Sequence, residues 1–377
     1  MYNVFMDELK INSRSYFLWN NSTGTAIAEK NSAVQTPVAS LTKIMTALLA
    51  VELRDLDEVV EIMPGMLQGL EGFAVLGLRS GQTLTVRELV FATLLPSAGD
   101  AAQALAISTG GSIAEFADLM NKRAAEIGMT NTHFSNSVGF DEDNYSTPQD
   151  IAILLMTALQ NPIFVEFFES YTAELPSVQT TVAKTFARQG YIKGGKTGFT
   201  NAAGRCLAST ADIEGAEYIL VTVGAELGEN VTDANKIYRY VADNYEPVQI
   251  LEAGTTLLEI PAEQSETRAI SYTAEDDVVV TLQNDTNLED LTYKYEGETA
   301  ITRQTEEGTK LGTYEILQGD DLLYTQEVYY TEAPEFYNYG CLIAGGLGSL
   351  VLLGLTAWLL WRKHHKASIV GVMIFLA

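Results

Sequence analysis

Histidine, cysteine and basic residues are scarce in this chain, and each shortage removes a class of chemistry. Of 3 histidines, His364 and His365 lie beyond a long apolar run, leaving His133 alone in the body of the chain. There is no His-Glu-x-x-His or paired-cysteine pattern, so no catalytic metal and no cofactor is implied. A Ser-His-Asp triad would have to use His133, whose setting Met129-Thr130-Asn131-Thr132-His133-Phe134 reads as a turn. A structural role suits it better, so the base of any serine enzyme encoded here is a lysine. The 2 cysteines, Cys206 in an expected strand and Cys341 in an apolar run, suggest neither a disulfide nor a metal site. Lys and Arg total 23 against 49 Asp and Glu, a net charge of -26. Such acidity excludes nucleic acid as a partner, because that binding clusters cations. Met1 to Ser15 carries Asp7, Glu8, Lys10 and Arg14 and has no apolar core, so no export signal is visible.

The long apolar run is the one membrane signal. Phe336 to Trp361 holds no charge, and about 20 apolar residues suffice to cross a bilayer as a helix. Tyr337, Tyr339, Trp358 and Trp361 supply aromatic ends, and Arg362-Lys363-His364-His365-Lys366 follows. Basic flanks favour the cytoplasmic side, so a single-pass anchor at 338–361 is expected to leave the bulk of the chain outside the cell membrane. The remainder, 362–377, is a short tail, basic at its start.

Between Ser15 and Asn244 strand signals stand at both ends with helices between. Ser15 to Trp19 and Thr25 to Glu29 read as a hairpin. Helices are expected to about Arg54, from Val86 to Leu95, from Asp100 to Ile107, from Ser112 to Gly128, and from Thr147 to Ala158 behind a Thr-Pro cap. Strands follow at Thr181 to Phe186, Tyr191 to Thr197, Arg205 to Thr210 and Glu217 to Val223, then a helix from Thr232 to Asn244. The expected fold class is α/β (α+β), a mixed sheet with helices packed on it and a helical subdomain inserted, at 12–248. From Leu251 to Phe336 there are 20 acidic residues against 4 basic, so 16 of the 26 net negative charges sit there. Its short alternating pieces suggest a small acidic β-domain at 251–336, a spacer without catalytic residues.

The chemistry gathers on Pro37-Val38-Ala39-Ser40-Leu41-Thr42-Lys43-Ile44-Met45-Thr46-Ala47-Leu48-Leu49. Leu41, Ile44, Met45, Leu48 and Leu49 fall at helical spacing, and Pro37 puts the helix start just after itself. Ser40 is then in the first turn with Lys43 one turn later on the same side, a hydroxyl and an amine within mutual reach. Ser-x-x-Lys arises by chance about once in a chain of this size, so the motif needs company. It has company in a loop at Ser97 and in Lys193-Gly194-Gly195-Lys196-Thr197-Gly198-Phe199-Thr200, where Lys-Thr-Gly ends an expected strand.

That order matches the penicillin-recognising serine enzymes. Ala39 to Leu48, Asn131-Thr132-His133-Phe134, Tyr145-Ser146-Thr147 with Asp150, and Lys196 to Thr200 with Ala203-Gly204 resemble the low-molecular-mass penicillin-binding proteins that act as D-alanyl-D-alanine carboxypeptidases. The resemblance runs from about Ser15 to Tyr245. It implies a β-lactamase/transpeptidase-like fold, a C-terminal β-domain and a membrane anchor. It implies that Ser40 attacks the carbonyl between two D-alanines ending a peptidoglycan stem peptide. Lys43 would take the serine proton, and Ser97 would relay a proton to the leaving amine. Backbone N–H groups of Ser40 and Phe199 would form the oxyanion hole, and Lys196, Thr197 and Thr200 beside Gly198 would hold the terminal carboxylate. β-Lactam antibiotics would inhibit. A nearby Lys196 together with burial would lower the Lys43 pKa.

Two departures stand out. The usual Ser-x-Asn is Ser97-Ala98-Gly99-Asp100 here, and Asp100, a backbone group or water would have to replace the carboxamide. The arginine that some members carry after the strand following Lys-Thr-Gly is missing from Ala225 to Asp233. Two other readings compete. One is a β-lactamase-like hydrolase, which needs a deacylating carboxylate for which Glu142 is a weak candidate. The other is a weak or inactive penicillin-binding receptor.

Overall fold

The computed structural model describes residues 9–331 apart from 142, 264 and 266. The expected anchor at 338–361, the tail, Cys341 and Glu142 lie outside those residues. Among the described residues no single helix is long and apolar enough to cross a membrane.

The chain divides into two units, the second made of Leu251–Val278 and the stretch from Leu291 onward. The strand segment from Val279 returns to the first unit, where Asn20 donates a hydrogen bond from Nδ2 to Thr281 Oγ1 at 2.6 Å. The sequence placed that segment with the acidic β-pieces, because its alternation says nothing about which sheet it joins.

The first unit is organised by five strands, β1 (Ser15–Asn20), β2 (Thr25–Lys30), β3 (Ile192–Thr200), β4 (Gly204–Ile213) and β5 (Ala216–Ala225), in the spatial order β2-β1-β5-β4-β3. Every neighbouring pair is antiparallel. The expected mixed sheet is thus wholly antiparallel. The links β1–β2, β3–β4 and β4–β5 are short hairpins, and a parallel pair needs a crossover of a dozen residues or more. All the inserted helices return the chain to a strand that pairs antiparallel.

Side chains alternate across the sheet. Phe17, Ala208, Val221 and Val223 face one core with helices α1 (Lys43–Leu53), α2 (Val86–Leu94), α3 (Gly99–Gly110), α4 (Ile113–Glu126), α5 (Pro148–Leu159) and α6 (Pro162–Glu169). Tyr16, Leu18, Leu207 and Leu220 face the other, packed on Ile237, Tyr238 and Val241 of α7 (Glu229–Asn244). Helix α6 went unread in the sequence, although Asn161 caps it by accepting from the N–H groups of Ile163 and Phe164. Its eight residues are too few for a periodic signal. The expected strand Thr181 to Phe186 is shorter, Thr180–Ala183, and pairs with Thr172–Leu175 outside the main sheet.

The second unit is all β, with an antiparallel pair Thr256–Pro261 and Ala269–Thr273 and a three-stranded sheet Leu291–Gly297, Lys310–Gln318, Asp321–Tyr329.

Candidate active site

Ser40 does not begin the α-helix. It sits in a 3-10 turn, Ala39–Thr42, and α1 starts at Lys43. Ala39 adopts φ +50, and Leu41 N–H closes onto Val38 O at 3.2 Å. In a 3-10 turn side chains three apart eclipse, which lines the Ser40 hydroxyl up with Lys43 more closely than an α-turn would. Lys43 Nζ donates to Ser40 Oγ at 3.0 Å and to Val138 O at 2.9 Å.

Val138 is the partner that the sequence did not reveal. Its loop is folded around Asp141, whose carboxylate accepts from Ser135 Oγ at 2.7 Å, Asn136 Nδ2 at 2.8 Å and Asn144 Nδ2 at 2.9 Å. Asn136 Oδ1 accepts the N–H groups of Val138 and Gly139. Gly139, at φ +83, lies so close to the serine turn that a Cβ would stand 2.0 Å from Ala39 O. Only glycine fits both that conformation and that approach. His133 sits in this region as a turn residue. Its backbone bridges Tyr145 in both directions and its ring packs on the Tyr145 ring at 5.8 Å.

Strand β3 supplies the opposite wall. Lys-Thr-Gly lies within this strand rather than at its end, because β3 runs on to Thr200. Gly198 passes the serine turn closely, and a Cβ there would lie 3.0 Å from Ser40 N. β3 is an edge strand, so its free side offers backbone groups to an extended peptide. Lys196 Nζ donates to Ser97 Oγ at 2.8 Å and to Thr197 O at 2.7 Å. Ser97 holds φ +65 between α2 and α3, a strained backbone of the kind that functional residues tolerate.

Ser40, Lys43, Ser97, Thr197, Gly198, Phe199 and Thr200 line one cleft of about 590 Å³, with Lys196 buried behind it. Burial pushes Lys43 from the ordinary lysine value down to about 7. Lys196 is held well below its ordinary value by burial first, then by the charges of Lys43 and Lys184. The sequence reading credited Lys196 with part of the Lys43 shift; burial alone accounts for it, and the repulsion registers on Lys196. Lys184 is a third amine that the sequence reading passed over. It is also pushed down to about 7 by burial, donates to Gly195 O at 2.7 Å, and lies among the rings of Phe168, Tyr171 and Phe186.

Asp100 does not replace the missing carboxamide. Its carboxylate accepts the N–H groups of Leu76, Gly77 and Leu78, so it serves the backbone at 76–78 and not the cleft. Gly99 N–H donates to Ala74 O at 2.7 Å, and a Cβ at residue 99 would meet Ala74 O and Phe73 Cβ, both at 3.3 Å. The room for a side chain at 99 is taken by Phe73, whose ring packs on that of Phe140 at 4.5 Å. Restoring the asparagine by Gly99→Asn therefore costs about 1–3 kcal/mol of overpacking and gives no gain in kcat/KM. Thermal melting and steady-state kinetics of the variant check this; a faster enzyme of unchanged melting temperature would contradict it.

Comparison with known proteins gives the family. Residues 3–227 match the family described as D-alanyl-D-alanine carboxypeptidase. Residues 245–335 match the C-terminal domain of penicillin-binding protein 5. The chain is 27% identical over 329 residues to D-alanyl-D-alanine carboxypeptidase DacF of Bacillus subtilis, covering 84% of each. It is 31% identical over 252 residues to a D-alanyl-D-alanine carboxypeptidase of Streptomyces sp. (strain K15), covering 59% of this chain and 85% of that protein. Its fold is shared with penicillin-binding protein 5 from Haemophilus influenzae, with a TM-score of 0.75 at 20% identity over 86% of this chain and 98% of that one. The first of these matches spans more than half of the sequence, and the chain belongs to the D-alanyl-D-alanine carboxypeptidase family.

Proposed function

We propose that the cleft removes the terminal D-alanine from peptidoglycan stem peptides through an acyl-enzyme on Ser40. The observation that carries this is the contact of Lys43 Nζ with Ser40 Oγ at 3.0 Å, made by an amine whose pKa burial has brought to about 7. An amine that is substantially neutral at physiological pH accepts the serine proton as Oγ bonds to the carbonyl carbon. The carbonyl oxygen is received by backbone N–H groups of Ser40 and Phe199. As the C–N bond breaks, the proton taken by Lys43 passes to Ser97, and Ser97 gives up its own to the departing nitrogen. It is suited to this because its oxygen accepts from Lys196 at 2.8 Å, which leaves its own O–H free to donate. Water then attacks the ester, Lys43, neutral again, takes the water proton, and it returns that proton to Ser40 Oγ as the acyl C–O bond breaks and the shortened peptide leaves as an acid. Thr197 and Thr200 hold the far end of the peptide. The Thr200 hydroxyl already accepts from Ala203 N–H at 3.0 Å, so its proton is free for an anion. β-Lactams enter the same chemistry and inhibit by forming a stable ester.

No observation favours the β-lactamase-like reading: among the described residues no carboxylate lines the cleft, and Glu142 lies outside them. The inactive-receptor reading rests on Gly99 alone, and the serine–lysine contacts are complete without a side chain at 99. We assign 12–248 as the peptidase domain, 251–336 as a β-module, and 338–361 as the anchor that keeps the peptidase at the outer face of the cell membrane. The test is D-alanine release from diacetyl-L-Lys-D-Ala-D-Ala by the full-length chain, read beside labelling with a fluorescent penicillin. Release with labelling is the expected result. Labelling without release leaves a receptor, and neither ends the proposal.

A further inference from the structure

The cleft is lined by two charged side chains among the described residues, Lys43 and Arg205, and by no acid. Lys43 is committed to the serine, and Lys196 spends its protons on Ser97 and Thr197 O behind the cleft wall. Neither amine is placed to neutralise an anion lying farther along β3. Arg205 is. It stands on β4 directly opposite Phe199 of β3, and its guanidinium lies 4.1 Å from the centroid of the Phe199 ring. Stacking on an aromatic face fixes the plane of a guanidinium and leaves its edge free to bind in the fork geometry that suits a carboxylate. Arg205 forms no ion pair among the described residues, and its Nε is buried without a hydrogen-bond partner.

We propose that Arg205 binds the terminal carboxylate of the substrate and is the residue that makes this enzyme prefer a free acid at the peptide's end. The inference rests on the carboxypeptidase reading. It also accounts for the absence of an arginine from Ala225 to Asp233: the cation comes instead from the strand beside Lys-Thr-Gly, held against the Phe199 ring. Thr200 completes the site with its free O–H.

The experiment compares diacetyl-L-Lys-D-Ala-D-Ala with its C-terminal carboxamide, two substrates with one scissile bond and different end charge. In the full-length wild-type chain the free acid has the higher kcat/KM. Arg205→Ala lowers the ratio of free acid to carboxamide by about 10- to 100-fold, the loss of charged hydrogen bonds, mainly through KM. Arg205→Lys recovers part of that ratio. Arg205→Gln, with a planar amide that can still lie on Phe199, loses it like the alanine variant, so a folding defect confined to Arg205→Ala does not decide the matter. An unchanged ratio in both neutral variants overturns the proposal. Should the wild-type chain release no D-alanine, the carboxypeptidase reading falls by itself. Arg205 is then read from the rate of acylation by benzylpenicillin against its methyl ester, where the same collapse of preference is expected and its absence overturns the assignment.

Discussion

Ser40→Ala abolishes D-alanine release and penicillin labelling together, while the melting temperature barely moves. The alcohol is the atom that forms the covalent bond, and removing the nucleophile of a serine hydrolase costs about 10,000-fold or more in kcat. The structural loss is small. Ser40 is half-buried in a 3-10 turn closed by backbone bonds, and Lys43 keeps its bond to Val138 O when the hydroxyl is gone. The measurement is release and labelling by both proteins at matched concentration, with thermal melting as the control for fold. Release at the wild-type rate by the alanine variant would remove Ser40 from the mechanism.

Lys43→Met kills the reaction and at the same time relieves the fold, and pH separates the two effects. Because Lys43 acts as a neutral base, kcat/KM of the wild-type protein rises with pH through about 7, the value to which burial has brought this amine. Activity is lost below it as the ammonium forms. Methionine cannot take a proton at any pH, so acylation falls by orders of magnitude. For stability the sign runs the other way. The unfolded amine has a pKa of about 10.4, above its folded value, so the unfolded chain binds more protons across the interval between the two. Wild-type stability therefore climbs with pH from about 7 to about 10, and below about 7 the full penalty of the buried amine is present. The variant lacks that penalty. Its melting temperature minus that of the wild type should be larger near pH 6 than near pH 10. Lys184 contributes the same trend to both proteins, whereas Lys196, held down in part by the Lys43 charge, is relieved by the same substitution and adds to the difference with the same sign. A difference independent of pH would mean that Lys43 stays charged in the fold, and a charged amine could not serve as the base.

The sequence by itself pointed to the candidate set. Ser40 and Lys43 are three apart behind Pro37, and Lys-Thr-Gly lies far along the chain, so their order and the family resemblance they carry marked the candidate nucleophile, base and cation. Ser15 to Trp19 and Thr25 to Glu29 likewise read as a hairpin, and the two segments pair antiparallel. Sequence spacing could not decide contacts between residues 95 or 99 positions apart. Only the tertiary structure decided that Val138 O would hold Lys43 and that Lys196 would reach Ser97. It decided that Asp100 would turn to the backbone at 76–78, that Phe73 would fill the space at Gly99, and that burial would bring a lysine near neutrality. The physical reason is that local periodicity selects helix or strand, whereas desolvation and long-range hydrogen bonds depend on what the whole fold packs around each group.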